Sequence, residues 1–208
     1  MKRSFYIIRH GQTDLNKRGI VQGRGIDSPI NETGRLQAEA FYHHYKHVSF
    51  DRVITSTLQR THQTVERFIN EGIPWVQIAG LDEISWGIYE GKVQSEELVT
   101  NFDQLVSDWA EGKLDCCIKD GETPDQMKLR QAAAMEQVLE ITKNDKNVLI
   151  CTHGRAMRML LCLLTDQSYA VMDTFPHTNT ALYKVDYEDG KYTIDERYNV
   201  KHLERLEK

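Results

Sequence analysis

A chain of 208 residues, 40% of them hydrophobic, has the length of one ordinary α/β unit and buries about 70% of its unfolded surface, so it needs no disulfide or metal staple. Its 26 basic and 31 acidic side chains leave a net charge of −5, which argues against a general nucleic-acid coat or an anionic membrane as partner. The N-terminal "MKRSFYIIRHGQTDLNKRGI" holds an apolar run too short for a signal peptide or a membrane span.

In chain order, "SFYIIR" reads as a buried strand and is followed by a glycine-rich loop, "NKRGIVQGRGIDSPI". "NETGRLQAEAFYHHYKHV" reads as a helix with Asn31 as N-cap and Leu36, Ala40 and Phe41 as its apolar stripe. "DRVITS" is a second strand, and "TLQRTHQTVERFINEG" a helix closed by Gly72. "WVQIAG" is a short strand. The stretch from Leu81 to Gly121 is irregular, with one or two helices. "ETPDQMKLRQAAAMEQVLEITKN" is a long helix with Thr123 as N-cap and Pro124 at its first position. "NVLICT" is a buried strand, "GRAMRMLLCLL" a helix, and "TALYKVDYEDGKYTIDERYN" a hairpin turning at Asp189-Gly190. Alternating strands and helices with continuous apolar strands predict a three-layer α/β/α unit, its mainly parallel sheet covered by helices on both faces.

Two of these strands stop at the same dipeptide, His10-Gly11 and His153-Gly154. In a mainly parallel sheet the functional site lies beyond the carboxyl ends of the strands, so both histidines belong to one rim. Arg9 precedes the first histidine, and Arg60 falls in the first turn after "RVITS". Two imidazoles, two guanidinium groups and helix N-termini on one rim suit a phosphoryl dianion. At an effective dielectric of about 20, each cation roughly 4 Å from a unit charge contributes on the order of 4 kcal/mol.

The segments "RHGQT" with Asn16 behind it, "QGRGIDSPINETGRLQA", "STLQRTHQT", "LDEISWGIYEG" and "THG" resemble, in order, the motifs of the histidine phosphatase superfamily, whose fold is called phosphoglycerate mutase-like. "HTNTAL" resembles that family's last core strand. The resemblance implies one histidine phosphatase domain over 1–208 with a lid or insertion at about 81–123. It implies His10 as nucleophile, Arg9, Arg60 and His153 as holders of the equatorial phosphoryl oxygens, and Glu83 as general acid and base. It places Asn16, Gln22 and Gly23 in a loop closing over the phosphate, with Gly11 and Gly154 beside them, and gives Glu90 a structural place. It implies no cofactor and no metal, and a small-molecule phosphate monoester as substrate. The oligomeric state is open.

Other features have plainer readings. "HHYKH", with His43 and His47 one turn apart, lacks a third ligand and reads as a solvated helix face. Trp75, Trp86 and Trp109 read as core or pocket wall. Lys17, Arg18 and Arg24 are either loop surface or added charge at the pocket mouth. Cys116, Cys117, Cys151 and Cys162 show no zinc spacing, and a reduced, soluble, cytoplasmic protein is expected. Three functions compete: a metal-independent phosphomonoesterase, a bisphosphoglycerate-dependent phosphoglycerate mutase, and a phosphoester-binding module without turnover.

Overall fold

The structure, a computed structural model, describes residues 2–206. Its sheet has six strands: β1 (Arg3–Arg9), β2 (Arg52–Thr55), β3 (Trp75–Gln77), β4 (Asn147–Thr152), β5 (Leu182–Glu188) and β6 (Lys191–Asn199). They lie in the order β3-β2-β4-β1-β5-β6, and of the six only β5 runs against the others. The helices are α1 (Asp14–Lys17), α2 (Glu32–Tyr45), α3 (Gln59–Asn70), α4 (Glu96–Ala110), α5 (Pro124–Ile141) and α6 (Gly154–Leu164), with 3₁₀ turns among them at Ala79–Leu81 and Gly87–Tyr89.

The period of two along each strand divides the core. Phe5, Ile7, Ile54, Val148 and Ile150 turn to one face and pack with Trp109 of α4, Val138 of α5 and Leu160 of α6. Ile8, Val53, Leu149 and Cys151 turn to the other and meet Phe41 and Tyr45 of α2 and Val65 and Phe68 of α3. Burying both faces is why these strands read as unbroken apolar runs.

Helix ends follow the chemistry of their residues. Asn31 accepts the Gly34 N–H at 2.9 Å, and Thr123 forms a capping box with Gln126 ahead of Pro124. Gly72 follows α3 with φ +87°, and Asp189 and Gly190 turn the β5–β6 hairpin with φ of 52° and 79°.

Two readings change. Leu36 is 50% exposed, because α2 buries Ala38, Phe41, Tyr42 and Tyr45 instead. At 100° per residue, Leu36 lies about 140° around the helix from Phe41, outside the core stripe. The expected last core strand in "HTNTAL" starts only at Leu182, and Thr180 before it has φ 59°.

The loop after β1 packs directly on the start of α2. A Cβ on Gly34 would lie 2.2 Å from the Gln12 carbonyl oxygen, and one on Gly11 would lie 2.7 Å from the Gly34 oxygen. Gly34→Ala is therefore expected to destabilise the fold by about 1–3 kcal/mol in urea unfolding, since backbone must shift. An unchanged midpoint would show that the close approach carries no strain.

Candidate active site

β1 and β4 pair in parallel with Arg9 opposite Thr152, and the His10 N–H continues the ladder to the Thr152 carbonyl at 2.9 Å. The next residue on each strand is a histidine. Their buried rings face each other with centroids 5.2 Å apart and an interplanar angle of 60°.

The protonation of both rings follows from their partners. His10 Nδ1 lies 2.7 Å from the Gly11 carbonyl oxygen, which only accepts, so Nδ1 carries the proton and Nε2 holds the lone pair. Arg60 Nε, which only donates, is 3.1 Å from His153 Nδ1, so His153 carries its proton on Nε2, 2.7 Å from Ser56 Oγ. Burial, followed by the charges of Arg60 and Arg9, holds His10 well below the usual histidine range. Burial and the Arg60 charge do the same to His153.

The two arginines differ in their commitments. Arg60 is fully buried and donates to His153, to the Ile26 carbonyl at 2.7 Å and to the Gly23 carbonyl at 3.3 Å, leaving two of its five N–H groups. Arg9 donates from Nη1 to the His177 carbonyl at 2.8 Å, while its buried Nε has no partner. A buried cationic donor left without a partner on a cavity wall suits an anion. Burial lowers Arg9 to about 10, Glu83 counteracts this, and Arg60 adds to it.

Glu83 occupies the start of α6. Its Oε1 accepts from Ala156 N at 2.8 Å and Ile84 N at 3.0 Å, and its Oε2 from Arg155 N at 3.1 Å. The positive end of that helix, which the sequence reading assigned to phosphate, is thus addressed by a carboxylate of the chain. Arg130 holds the loop behind it by donating to the carbonyls of Gly80, Asp82 and Glu83, with Glu122 bracing the guanidinium at 2.6 Å.

A cavity of about 330 Å³ opens over these groups and is lined by Arg9, His10, Asn16, Gln22, Glu83 and Gly154, with Trp86, Phe102, Arg155 and His177 on its farther walls. Asn16 belongs to a capping box with Thr13 and accepts from Asn179 at 3.3 Å. Gln22 bridges Thr13 and Ser28. Gly154 leaves no room for a side chain, since a Cβ would lie 2.8 Å from His177.

Four of the expected site residues stand behind the wall. Arg60 and His153 form its buried support. Gly11 receives the His10 proton and donates its N–H to Thr64 Oγ1 at 2.8 Å. Gly23 receives Arg60 and packs on Glu90, whose Oε1 accepts from Trp86 N at 2.9 Å. Lys17, Arg18 and Arg24 line no part of the cavity, and Arg24 pairs with Asp82 at 3.6 Å. Trp75, at 39% exposure, belongs to neither core nor pocket wall. Among the described residues no group of three or more His, Cys, Asp or Glu is arranged to hold a metal. Arg155 and His177 escaped the sequence reading, because nothing in a helix turn or a loop shows which way a side chain points, and Arg130, expected near the substrate, instead clamps the Glu83 loop.

The sequence profile of the histidine phosphatase superfamily (branch 1) matches residues 5–200. The chain is 31% identical over 208 residues to the broad-specificity phosphatase YOR283W of Saccharomyces cerevisiae, covering 95% of this chain and 86% of that one. It is 28% identical over 188 residues to a probable phosphoglycerate mutase, GpmB, of Yersinia pestis, covering 90% and 86%. The solved structure of Bacillus stearothermophilus YhfR superposes with a TM-score of 0.83 at 26% identity, covering 97% of this chain and 99% of that one.

The buried neutral rings make stability depend on pH. Burial pushes His177 down to about 3 and His202 to about 4, alongside His10 and His153. In the unfolded chain these rings bind protons below about pH 6.5, so folding stability is complete above that pH and is lost as pH falls through it. The expected loss between pH 7.5 and 5.5 is about 1.4 kcal/mol for each ring, read by urea unfolding. Equal stability at the two values would mean that the rings protonate freely in the folded protein.

Proposed function

Because the chain belongs to the histidine phosphatase superfamily, we propose that it hydrolyses small phosphate monoesters through a phosphohistidine on His10, with Glu83 passing protons and no metal taking part. The observation that carries this reading is the tautomer of His10: its Nδ1 proton is committed to Gly11, which leaves the Nε2 lone pair for attack.

In the first step Nε2 attacks phosphorus, a P–N bond forms and the ester P–O bond breaks. A proton from the Glu83 carboxyl goes to the departing oxygen. In the second step water attacks phosphorus, its proton passes to Glu83, the P–N bond breaks, and inorganic phosphate leaves. The two fixed guanidinium groups meet the negative charge on the transferring group. Uncatalysed monoester hydrolysis is so slow that dividing it into two displacements has a large effect on rate.

The segment 81–123 serves as the lid in this reading: it contributes Glu83, Trp86, Gln94 and Phe102 to the cavity. A volume of about 330 Å³ stands at the small end of ligand sites and suits a metabolite rather than a phosphoprotein. The likeness to a probable phosphoglycerate mutase supports a second reading, in which the phosphoryl group returns to the substrate at another hydroxyl. A mutase must keep water from the phosphohistidine, whereas a phosphatase must admit it.

The test is a monoester panel assayed for inorganic phosphate with and without chelator. Release unaffected by chelator is expected, whereas isomerisation of 3-phosphoglycerate with a bisphosphoglycerate primer and without phosphate release would select the mutase. Turnover of no monoester between pH 5 and 8 would overturn both. His10→Ala is expected to abolish turnover. Glu83→Gln is expected to slow hydrolysis of alkyl phosphates by about 10²–10⁴-fold and that of p-nitrophenyl phosphate much less, because a weakly basic leaving group needs little proton assistance. Equal losses on both would remove Glu83 from the proton-transfer role.

A further inference from the structure

The loop between the 3₁₀ turn Tyr169–Thr174 and β5 is fastened residue by residue. The Phe175 carbonyl accepts from Arg158 Nε at 3.1 Å, that of Pro176 from the Tyr183 hydroxyl at 2.7 Å, and that of His177 from Arg9 Nη1 at 2.8 Å. Two residues on, Asn179 Nδ2 donates to the His10 carbonyl at 2.9 Å. Arg9, His10 and this loop thus form one hydrogen-bonded frame, and His177 is the loop residue that lines the cavity.

The His177 ring is oriented from behind. Arg158 Nη2 lies 2.6 Å from its Nδ1, and a guanidinium only donates, so Nδ1 keeps its lone pair and the proton of the neutral ring sits on Nε2. Asp173 and the Phe175 carbonyl hold the Arg158 fork in place. Burial, followed by the charges of Arg9, Arg158 and Arg155, pushes His177 down to about 3, so the ring stays neutral near pH 7. Its Cδ2, the carbon next to Nε2, lies 2.8 Å from where a Cβ on Gly154 would stand, and the unpartnered Arg9 Nε lies 3.3 Å from the same point. Among the described residues no acceptor is bonded to His177 Nε2. The glycine that opens α6 therefore lets two uncommitted N–H donors approach each other. Both nitrogens of His153, by contrast, are taken by Arg60 and Ser56.

We propose that His177 is a further catalytic residue of the phosphoryl site: its Nε2–H donates to a nonbridging phosphoryl oxygen beside Arg9, and Arg158 is the positioning residue that fixes its tautomer. This rests on the phosphomonoesterase reading. Arg9 and Arg60 already supply charge, and a third cation at this place would be repelled by them and by Arg155 and Arg158. A neutral donor adds a hydrogen bond to the transferring group without that repulsion, and it is in place before the charge moves. The contact is with the group that every monoester shares, so it acts on rate and on phosphate binding whatever the alcohol.

His177→Ala is expected to lower kcat/KM by about 10–10²-fold, equally for p-nitrophenyl phosphate and for an alkyl phosphate, and to weaken calorimetric binding of inorganic phosphate by a similar factor. His177→Gln, whose amide N–H has about the reach of Nε2, is expected to restore most of both. In ¹⁵N spectra the His177 ring, assigned by its absence from His177→Gln, is expected to carry its proton on Nε2 and to shift there on addition of phosphate. Arg158→Met is expected to give a mixture of tautomers. A wild-type ring with its proton on Nδ1 would overturn the proposal even should the variants fail to fold. So would a loss in His177→Ala that falls on the alkyl phosphate alone, or one that Gln does not restore. A wild-type protein that turns over no monoester but binds phosphate in a His177-dependent way would overturn the phosphatase reading and keep this donor. Full turnover and unchanged phosphate binding in His177→Ala would overturn the donor and leave the phosphatase reading intact.

Discussion

The parallel pairing of β1 with β4 is the constraint from which the site follows. Because Arg9 stands opposite Thr152, the next residue on each strand leaves the sheet at the same level, and both are histidines. The hydrogen bond from His10 N to the Thr152 carbonyl extends the ladder into the site itself, so the imidazole is carried by sheet rather than by loop. A slip of one residue would turn Ile8 and Cys151 from one core to the other and separate the rings. Strand registry and the placement of the two rings are therefore one property.

On this frame the chain assembles charges that do not satisfy one another. Arg9 and Arg60 are desolvated together, and Glu83 is the acid that faces both. The histidines between them remain neutral, and each has its tautomer set by a partner of one polarity only: a carbonyl for His10, a guanidinium for His153. Such an arrangement concentrates incompletely paired positive charge at the cavity, and the phosphoryl dianion of the proposed substrate is an anion that suits it. Glu83, accepting from the first-turn N–H groups of α6, holds the anion position of that helix, so the proposed proton donor is also a helix cap.

Much of this was legible in the sequence because it depends on local rules. Apolar runs ending in His-Gly gave the strand ends, Asn31, Thr123 and Pro124 gave helix starts, and Asp189-Gly190 gave the hairpin. The rim containing Arg9, His10, Arg60 and His153 followed from strand ends alone. What escaped depends on side-chain direction. The stripe through Leu36 failed because Ala38 and Tyr45 set the buried face of α2. Gly11 and Gly23 lie behind the cavity wall because their carbonyls serve His10 and Arg60. Arg130 and Arg155 both stand on helices at ordinary positions, and only folding shows that one clamps the Glu83 loop while the other enters the cavity.

The central claim is that the protein forces attack from one particular nitrogen of one histidine. The direct measurement is to mix enzyme with a monoester, quench in alkali within milliseconds, and locate the phosphorus by mass spectrometry and ³¹P NMR. The account predicts phosphate on Nε2 of His10. Phosphate on Nδ1 of that ring, on another residue, or on none while turnover proceeds would contradict it.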